Sequence, residues 1–208
     1  ILITNIMKKL MFLLENTLKK IIKELGLIFV ILIICLSKVN AIEKWVIDKN
    51  LSSIKFELPV LFATNVSGEF KNINGFVEID LKNKTNNKAL LSVEIDSIEG
   101  NYVKYRNLLL SPIFFDSDKY PLGVLDTKKF SYKDEADLNL DIELTIKGIS
   151  KMVNTNLIIN RLTNDIVQIT GSLEFSRTDF NIGTGNWSNT TILKDKIKIS
   201  SDIFLIRE

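Results

Sequence analysis

Residues 138–146 read LNLDIELTI: Leu138, Leu140, Ile142, Leu144 and Ile146 alternate with Asn139, Asp141, Glu143 and Thr145. Successive side chains of a strand point to opposite faces, so this period of two predicts a strand with one apolar and one polar face. Lys147-Gly148 follows as a turn, and the same rhythm resumes at Val153, Thr155, Leu157 and Ile159. It recurs at Val167, Ile169, Gly171, Leu173 and Phe175, and again at Ile197, Ile199, Ser201, Ile203 and Leu205. Upstream, Ile54-Phe56-Leu58, Val77-Ile79-Leu81 and Leu91-Val93-Ile95 repeat it. Turn chemistry separates the runs at Asn72-Ile73-Asn74-Gly75, 82–88 and 160–165. One segment breaks the period: Tyr102 to Leu110 (YVKYRNLLL) has helical spacing and stops before Ser111-Pro112, which predicts a short helix. The fold class is all-β: about eight strands with short connections and one short helix, fitting one antiparallel sheet closed into a barrel. A sandwich would show the same alternation.

The first forty residues follow other rules. Leu25 to Leu36 (LGLIFVILIICL) is an apolar run of 12 residues, preceded by Lys19, Lys20 and Lys23 and followed by Val39-Asn40-Ala41. A basic region, a short apolar core and a small terminal residue describe a secretory signal peptide. As a helix, the run spans roughly 18 Å, short of a ~30 Å hydrocarbon layer. The expected organisation is a cleaved signal segment, 1–41, and one domain, 42–208, with Met7 the natural start and 1–6 upstream of it. Ile34 stands before Cys35 where a lipidated cysteine needs a small neighbour, which argues against lipidation.

Composition narrows the chemistry. The 208 residues contain 27 Lys and Arg, 25 Asp and Glu, one Cys and no His. Without histidine there is no Ser-His-Asp or Cys-His relay, no histidine metal site and no histidine switch. A lone cysteine excludes an internal disulfide and multi-cysteine metal sites. Six lysines and two glutamates lie in residues 1–41, so the balance of +2 becomes −2 for the remainder. Neither value provides the basic face that a nucleic-acid binder needs.

Few residues invite a chemical role. Asp141 and Glu143 share the polar side of a strand and read as solvated surface. Asp116-Ser117-Asp118 starts like a calcium loop but lacks the sixth-position glycine and the distal glutamate. Gly183-Thr184-Gly185 has no strand–helix context for a dinucleotide. Arg106, Arg177 and Asp179 stand among aromatics, and Arg177 with Asp179 reads as an ion pair at a barrel rim. Ten aromatics (Phe56, Phe62, Phe70, Phe76, Phe114, Phe115, Phe130, Phe175, Phe180 and Trp187) are spread over nearly every element. They either fill a core or line a pocket, and the pattern leaves both readings open.

Trp45-Val46-Ile47-Asp48, Gly75-Phe76-Val77-Glu78-Ile79-Asp80, Leu144-Thr145-Ile146-Lys147-Gly148 and Arg177-Thr178-Asp179-Phe180 stand in order across residues 45–205, and in this they resemble the YceI-like family, lipocalin-like periplasmic proteins that bind polyisoprenoids. Trp45-Val46-Ile47-Asp48 with Leu51-Ser52-Ser53-Ile54-Lys55-Phe56 resembles the family's opening. Val66-Ser67-Gly68-Glu69-Phe70 and Gly75-Phe76-Val77-Glu78-Ile79-Asp80 are similar to its next strands. Asp96-Ser97-Ile98, Arg106-Asn107, Leu110, Ser111-Pro112-Ile113-Phe114-Phe115-Asp116 and Tyr120-Pro121 follow its central order. Leu144-Thr145-Ile146-Lys147-Gly148-Ile149-Ser150 and Arg177-Thr178-Asp179-Phe180-Asn181-Ile182-Gly183 resemble its later motifs. Leu51 and Val60 stand where many members carry histidine, Asn107 where they carry aspartate, and Asn181 where they carry glycine.

The resemblance implies an eight-stranded antiparallel lipocalin-like barrel with one short helix, enclosing an apolar tunnel for an isoprenoid lipid, either a polyprenyl chain or an isoprenoid quinone. Candidate lining residues are Phe56, Phe70, Phe76, Leu109, Phe114, Phe115, Phe175 and Phe180. Candidates for a polar mouth are Arg106, Asn107, Arg177 and Asp179. Burying about a dozen ligand carbons at ~0.8 kcal/mol each gives roughly 10 kcal/mol, before the cost of association. No catalytic residue, cofactor or metal is expected, nor a nucleic-acid partner. The implied setting is the periplasm, with transient membrane contact and dimers. A barrel filled by its own aromatics, docking partners through loops such as Thr184 to Thr191, is the alternative; a lipid-modifying enzyme is a remoter one.

Overall fold

Among the described residues, eleven strand segments make eight strand positions, because three of those positions are interrupted. The computed structural model describes residues 7, 11, 15, 17–26, 42–61, 65–80, 83–100, 105–132 and 137–208. Ile1–Asn40 and Ala41–Glu208 are separate units. In the first, residues 17–26 are helical, with Lys19 paired to Glu15 one turn back at 2.7 Å. Most of the expected signal segment, 1–41, lies outside the described residues, including all of 27–41 and with it Cys35.

The second unit holds β1 (Ile42–Ile47), β2 (Ser53–Leu58), β3 (Val66–Phe70), β4 (Ile73–Asp80), β5 (Lys88–Glu94), β6 (Ile98–Gly100), β7 (Leu122–Asp126), β8 (Asp137–Ile146), β9 (Ile149–Arg161), β10 (Ile166–Ser176) and β11 (Lys196–Arg207). β1 and β2 form one broken strand that pairs along β4 and β3, which form the next. β5 and β6 form the third, against β4 and β3. β7 to β11 follow in chain order, and β11 returns to both β1 and β2. Every pairing is antiparallel and β11 pairs back onto β1, so the chain closes an up-and-down eight-stranded barrel in which, among the described residues, only the short β6 has a partner, β3, on one side alone.

The interruptions have local causes. Between β1 and β2, the Asp48 carboxylate accepts from the backbone N–H groups of Asn50 and Leu51, at 2.9 and 3.2 Å, folding a turn out of the strand. Between β5 and β6, Ser97 Oγ accepts from the N–H groups of Lys71 and Asn72 and donates to the Glu94 carbonyl. The turn expected over Asn72 to Gly75 is thus confined to residues 71–72. Gly75 lies inside β4, paired with Leu91, and a Cβ there would collide with the Leu90 carbonyl. The β8–β9 hairpin turns on Lys147 and Gly148, both at positive φ (51° and 70°), as a two-residue hairpin matching the strand twist requires.

The short helix covers Arg106–Leu110 and ends where Ser111 turns extended before Pro112. Tyr102 to Lys104 of the expected helix lie outside the described residues. Odd positions of β9, β10 and β11 and even positions of β8 face the interior, while Lys55, Glu57, Glu174, Lys196 and Lys198 face out. This is the reverse of a lipid-facing barrel wall.

Candidate ligand-binding cavity

Strand direction gives the barrel two unlike ends. β2, β6, β10 and β11 meet one end, where segments 106–121 and 177–195 fold across the opening. Leu109, Phe114, Phe115, Phe180, Ile182 and Leu193, all buried, pack into this cap. The Gly183 and Thr184 N–H groups donate to the Ile113 carbonyl at 2.8 and 3.2 Å, and Lys147 Nζ donates to the carbonyls of Pro112 and Asn181, each at 2.9 Å. These bonds tie the two cap segments together. Burial pushes the Lys147 ammonium below the usual lysine value, against the opposing pull of Asp116.

Three adjoining chambers run from the cap toward the other end. The deepest, about 90 Å³, is lined entirely by apolar groups, among them Phe56, Phe70, Leu109, Phe114, Phe115 and Phe175. It shares a wall of Ile54, Leu91, Leu125, Leu173 and Ile199 with a middle chamber of about 120 Å³. The third, about 640 Å³, adjoins the middle one at Val77, Ala89, Thr127, Leu157, Ile169 and Leu205. Only this last chamber carries charged residues on its wall: Glu43, Asp80, Lys84 and Arg161. Its volume is in the range of small-molecule sites, whereas each inner chamber has room only for a slender group. The interior is therefore nearly filled near the cap and open at the far end.

The polar groups of the open end are organised by the loops that surround it. Asn87, 1% exposed, accepts from the Asp80 N–H at 3.0 Å and donates to the carbonyls of Lys84 and Phe130 at 2.7 and 3.1 Å. Thr127 Oγ1 accepts from the Ala89 N–H at 2.8 Å. Glu43 pairs with Arg207 at 3.5 Å. Trp45, 3% exposed, lies flat under two guanidinium groups, Arg207 at 4.9 Å and Arg161 at 5.9 Å from its ring centroid.

A family model for the YceI-like domain matches residues 45–205. The chain belongs to the YceI-like family. It is 26% identical over 102 residues to a UPF0312 protein of Vibrio campbellii, covering 49% of this chain and 54% of that one. It is 28% identical over 100 residues to Protein YceI of Escherichia coli O17:K52:H18, covering 48% and 52%. The chain thus aligns with about half the length of these curated relatives. Three solved structures share its fold. BcnA of Burkholderia cenocepacia superposes with a TM-score of 0.69 at 22% identity, covering 76% of this chain and 98% of BcnA. A polyisoprenoid binding domain from Saccharophagus degradans gives 0.64 at 13%, covering 79% and 98%. The YCEI protein of Campylobacter jejuni gives 0.60 at 24%, covering 72% and 89%.

Within this YceI-like barrel, six of the eight expected lining residues meet at the deep chamber. Two do not. Phe180 is completely buried and stacks edge-on against Phe175 at 5.1 Å, so it forms the layer behind the wall. Phe76 borders the middle chamber, but it has the opposite parity to inward-facing Val77, and Lys88 Nζ lies 5.6 Å from its ring. Phe62 lies outside the described residues.

The residues expected to form a polar mouth lie at the capped end. Arg106 and Asn107 are exposed on the cap helix, and Arg106 donates to the carbonyls of Ile98 and Asp96, fixing the helix to β6. Asp179 is exposed, and the expected Arg177–Asp179 ion pair does not form. Arg177 is fully buried instead, donating to the carbonyls of Lys194 (3.0 Å), Ile182 (2.8 Å), Gly183 (3.1 Å) and Leu193 (2.9 Å). Its charge is balanced by Asp195. Burial lowers the pKa of the Arg177 guanidinium and Asp195 partly restores it. Burial alone would raise Asp195, but hydrogen bonds from Thr178 and Ser176, together with Arg177, hold it below the usual carboxylate value.

The family departures are also explained by position. Leu51 is exposed in the β1–β2 turn, and Val60 bridges to Leu193 at the cap. Neither touches a chamber wall. Asn181 adopts the left-handed conformation (φ 53°, ψ 38°) that suits a glycine and that asparagine tolerates better than most residues.

Proposed function

We propose that this domain holds the chain of an isoprenoid lipid, polyprenyl or quinone, in its barrel and passes it on unchanged. The carrying observation is the series of three adjoining chambers, apolar at the capped end and open at a polar-rimmed end. A tapering apolar space favours a long, slender, oxygen-poor ligand, because each buried CH₂ contributes about 0.8 kcal/mol and no inner wall group would reward polarity. The polyisoprenoid binding domain with the same fold supports this ligand class. The basic and apolar pattern of residues 19–41 supports a periplasmic setting, where loading would involve transient contact with a membrane. No histidine is available, and the buried Arg177 and half-buried Asp195 are consumed in holding the cap, so the reading assigns no catalytic step.

The test is lipid extraction and mass spectrometry of the protein purified from a bacterial periplasm. The expected result is a stoichiometric isoprenoid lipid. Recovery without any lipid, together with no binding of added isoprenoid quinone, would overturn the proposal and favour a barrel that docks protein partners.

A further inference from the structure

We infer that the helix at residues 17–26 lies flat on an anionic lipid surface, with its apolar stripe in the acyl boundary and its lysines among the head groups. The inference goes beyond the lipid-holding barrel and does not depend on what the barrel holds. A secretory segment needs a basic region before its apolar core, but nothing in that role calls for an apolar stripe. Leu18, Ile21, Ile22 and Leu25 nonetheless recur at helical spacing, and all four are more than half exposed. With 3.6 residues per turn they occupy an arc of about 100° on one side of the helix. Met7 and Met11 are spaced in step with them in the sequence and are exposed as well.

The opposite face fixes the kind of partner. Lys19, Lys20 and Lys23 fall there, and within residues 17–26 only Glu24 has the contrary sign. Lys19 pairs with Glu15 at 2.7 Å, but both side chains are exposed, and such a pair yields readily to a competing anion. A helix built this way binds lipid by burying its stripe and by drawing its lysines to anionic head groups. The apolar run Leu25 to Leu36 starts at the end of the helix, so the stripe continues into a segment that itself prefers lipid. A spanning orientation would carry the lysines into hydrocarbon, and among the described residues no helix is long and apolar enough to cross a membrane. A second copy of the chain is a poorer occupant. Met7, Met11, Leu18, Ile21 and Leu25 fit the four–three spacing of a coiled-coil seam, but Ile22 stands outside it. That spacing also runs for less than three heptads, short of what a stable coiled coil needs.

The test uses the full chain with residues 1–41 attached, made by cell-free synthesis, with Cys35→Ser removing its one thiol. A polarity-sensitive fluorophore is then attached through Ile22→Cys on the stripe or through Lys20→Cys on the basic face. Vesicles of phosphatidylcholine alone are compared with vesicles that also contain phosphatidylglycerol. The apolar run would attach the chain to either kind, so the readout is the label on the helix rather than flotation of the protein. Anionic vesicles should shift the Ile22 label to the blue and leave the Lys20 label unchanged. Lys19→Gln combined with Lys23→Gln should raise the anionic lipid needed for half of the Ile22 shift at least tenfold, and added salt should act in the same direction. Equal blue shifts at both positions would mean that the segment inserts across the bilayer. A shift as large on neutral vesicles would remove the anionic partner. A shift without vesicles that grows with protein concentration would assign the stripe to a second copy. Each of these results, or no shift at either position, would overturn the inference, and none of them bears on ligand binding by the barrel.

Discussion

The Arg177 guanidinium donates to the Leu193 carbonyl at 2.9 Å, joining the two ends of the segment that closes the barrel. With the bonds to Ile182, Gly183 and Lys194, one side chain satisfies four carbonyls that have been withdrawn from water. Arg177→Ala is expected to cost about 3–5 kcal/mol, since buried carbonyls lose charge-assisted donors and Asp195 loses its counter-charge. Arg177→Lys should recover only part of this, because an ammonium cannot present the planar fork. Urea unfolding of the variants measures both effects. A loss under 1 kcal/mol for the alanine variant would show that the clamp contributes little.

The same residue shows where sequence reading stopped. β8 to β11 are legible because their alternation continues for seven to nine residues, and a slip of one position would turn every apolar group outward. β7 is not, since Leu122-Gly123-Val124-Leu125-Asp126 is short and places a glycine at an inward position, where a Cβ would approach Val93 to 3.2 Å. The deep aromatics could be named because residue type alone marks them. Arg177 could not be placed, because its partners are backbone carbonyls, which leave no trace in residue identity. Arg161 reads from the sequence as the polar end of a strand, although it has the parity of Leu157 and Ile159. Once β9 is known to end at the open rim, that parity points it inward.

Gly171 faces the middle chamber, where a Cβ would meet Ser201 Oγ at 2.7 Å and Leu157 Cδ2 at 2.8 Å, both flexible side-chain ends. Gly171→Val is therefore expected to fold, aided by the strand preference of valine, while filling the passage between the inner and outer chambers. Binding of a long isoprenoid quinone should weaken at least tenfold, with a one- or two-unit quinone affected far less. Isothermal titration with the two chain lengths decides the matter. Equal loss for both would mean that the chain does not pass Gly171.

Asn181 holds a left-handed conformation at the end of the turn Arg177–Phe180, and its carbonyl accepts from Lys147. Asn181→Gly should be neutral or stabilising by up to about 1 kcal/mol, since glycine adopts this conformation without steric cost. Asn181→Val should destabilise by about 1–2 kcal/mol, because a β-branched residue resists positive φ. Thermal unfolding of the two variants should move the midpoint in opposite directions or, for glycine, leave it unchanged.

Asp195 gives the cap a pH dependence with a definite sign. Its folded pKa is depressed below the ordinary 3.8, because hydrogen bonds from Thr178 and Ser176 and the charge of Arg177 together outweigh burial. The carboxylate therefore contributes stability that is fully present above its unfolded value and lost as pH falls through the folded value. Unfolding free energy should be level across neutral pH in this respect and decline as the solution is taken below about pH 4. In Asp195→Asn the neutral-pH stability should be lower, by about 1–2 kcal/mol, and the acid decline shallower. Urea titrations at pH 7 and pH 3 compare the two proteins directly. A variant whose loss is the same at both pH values would show that Asp195 acts through shape rather than charge, leaving the burial of Arg177 without its electrostatic balance.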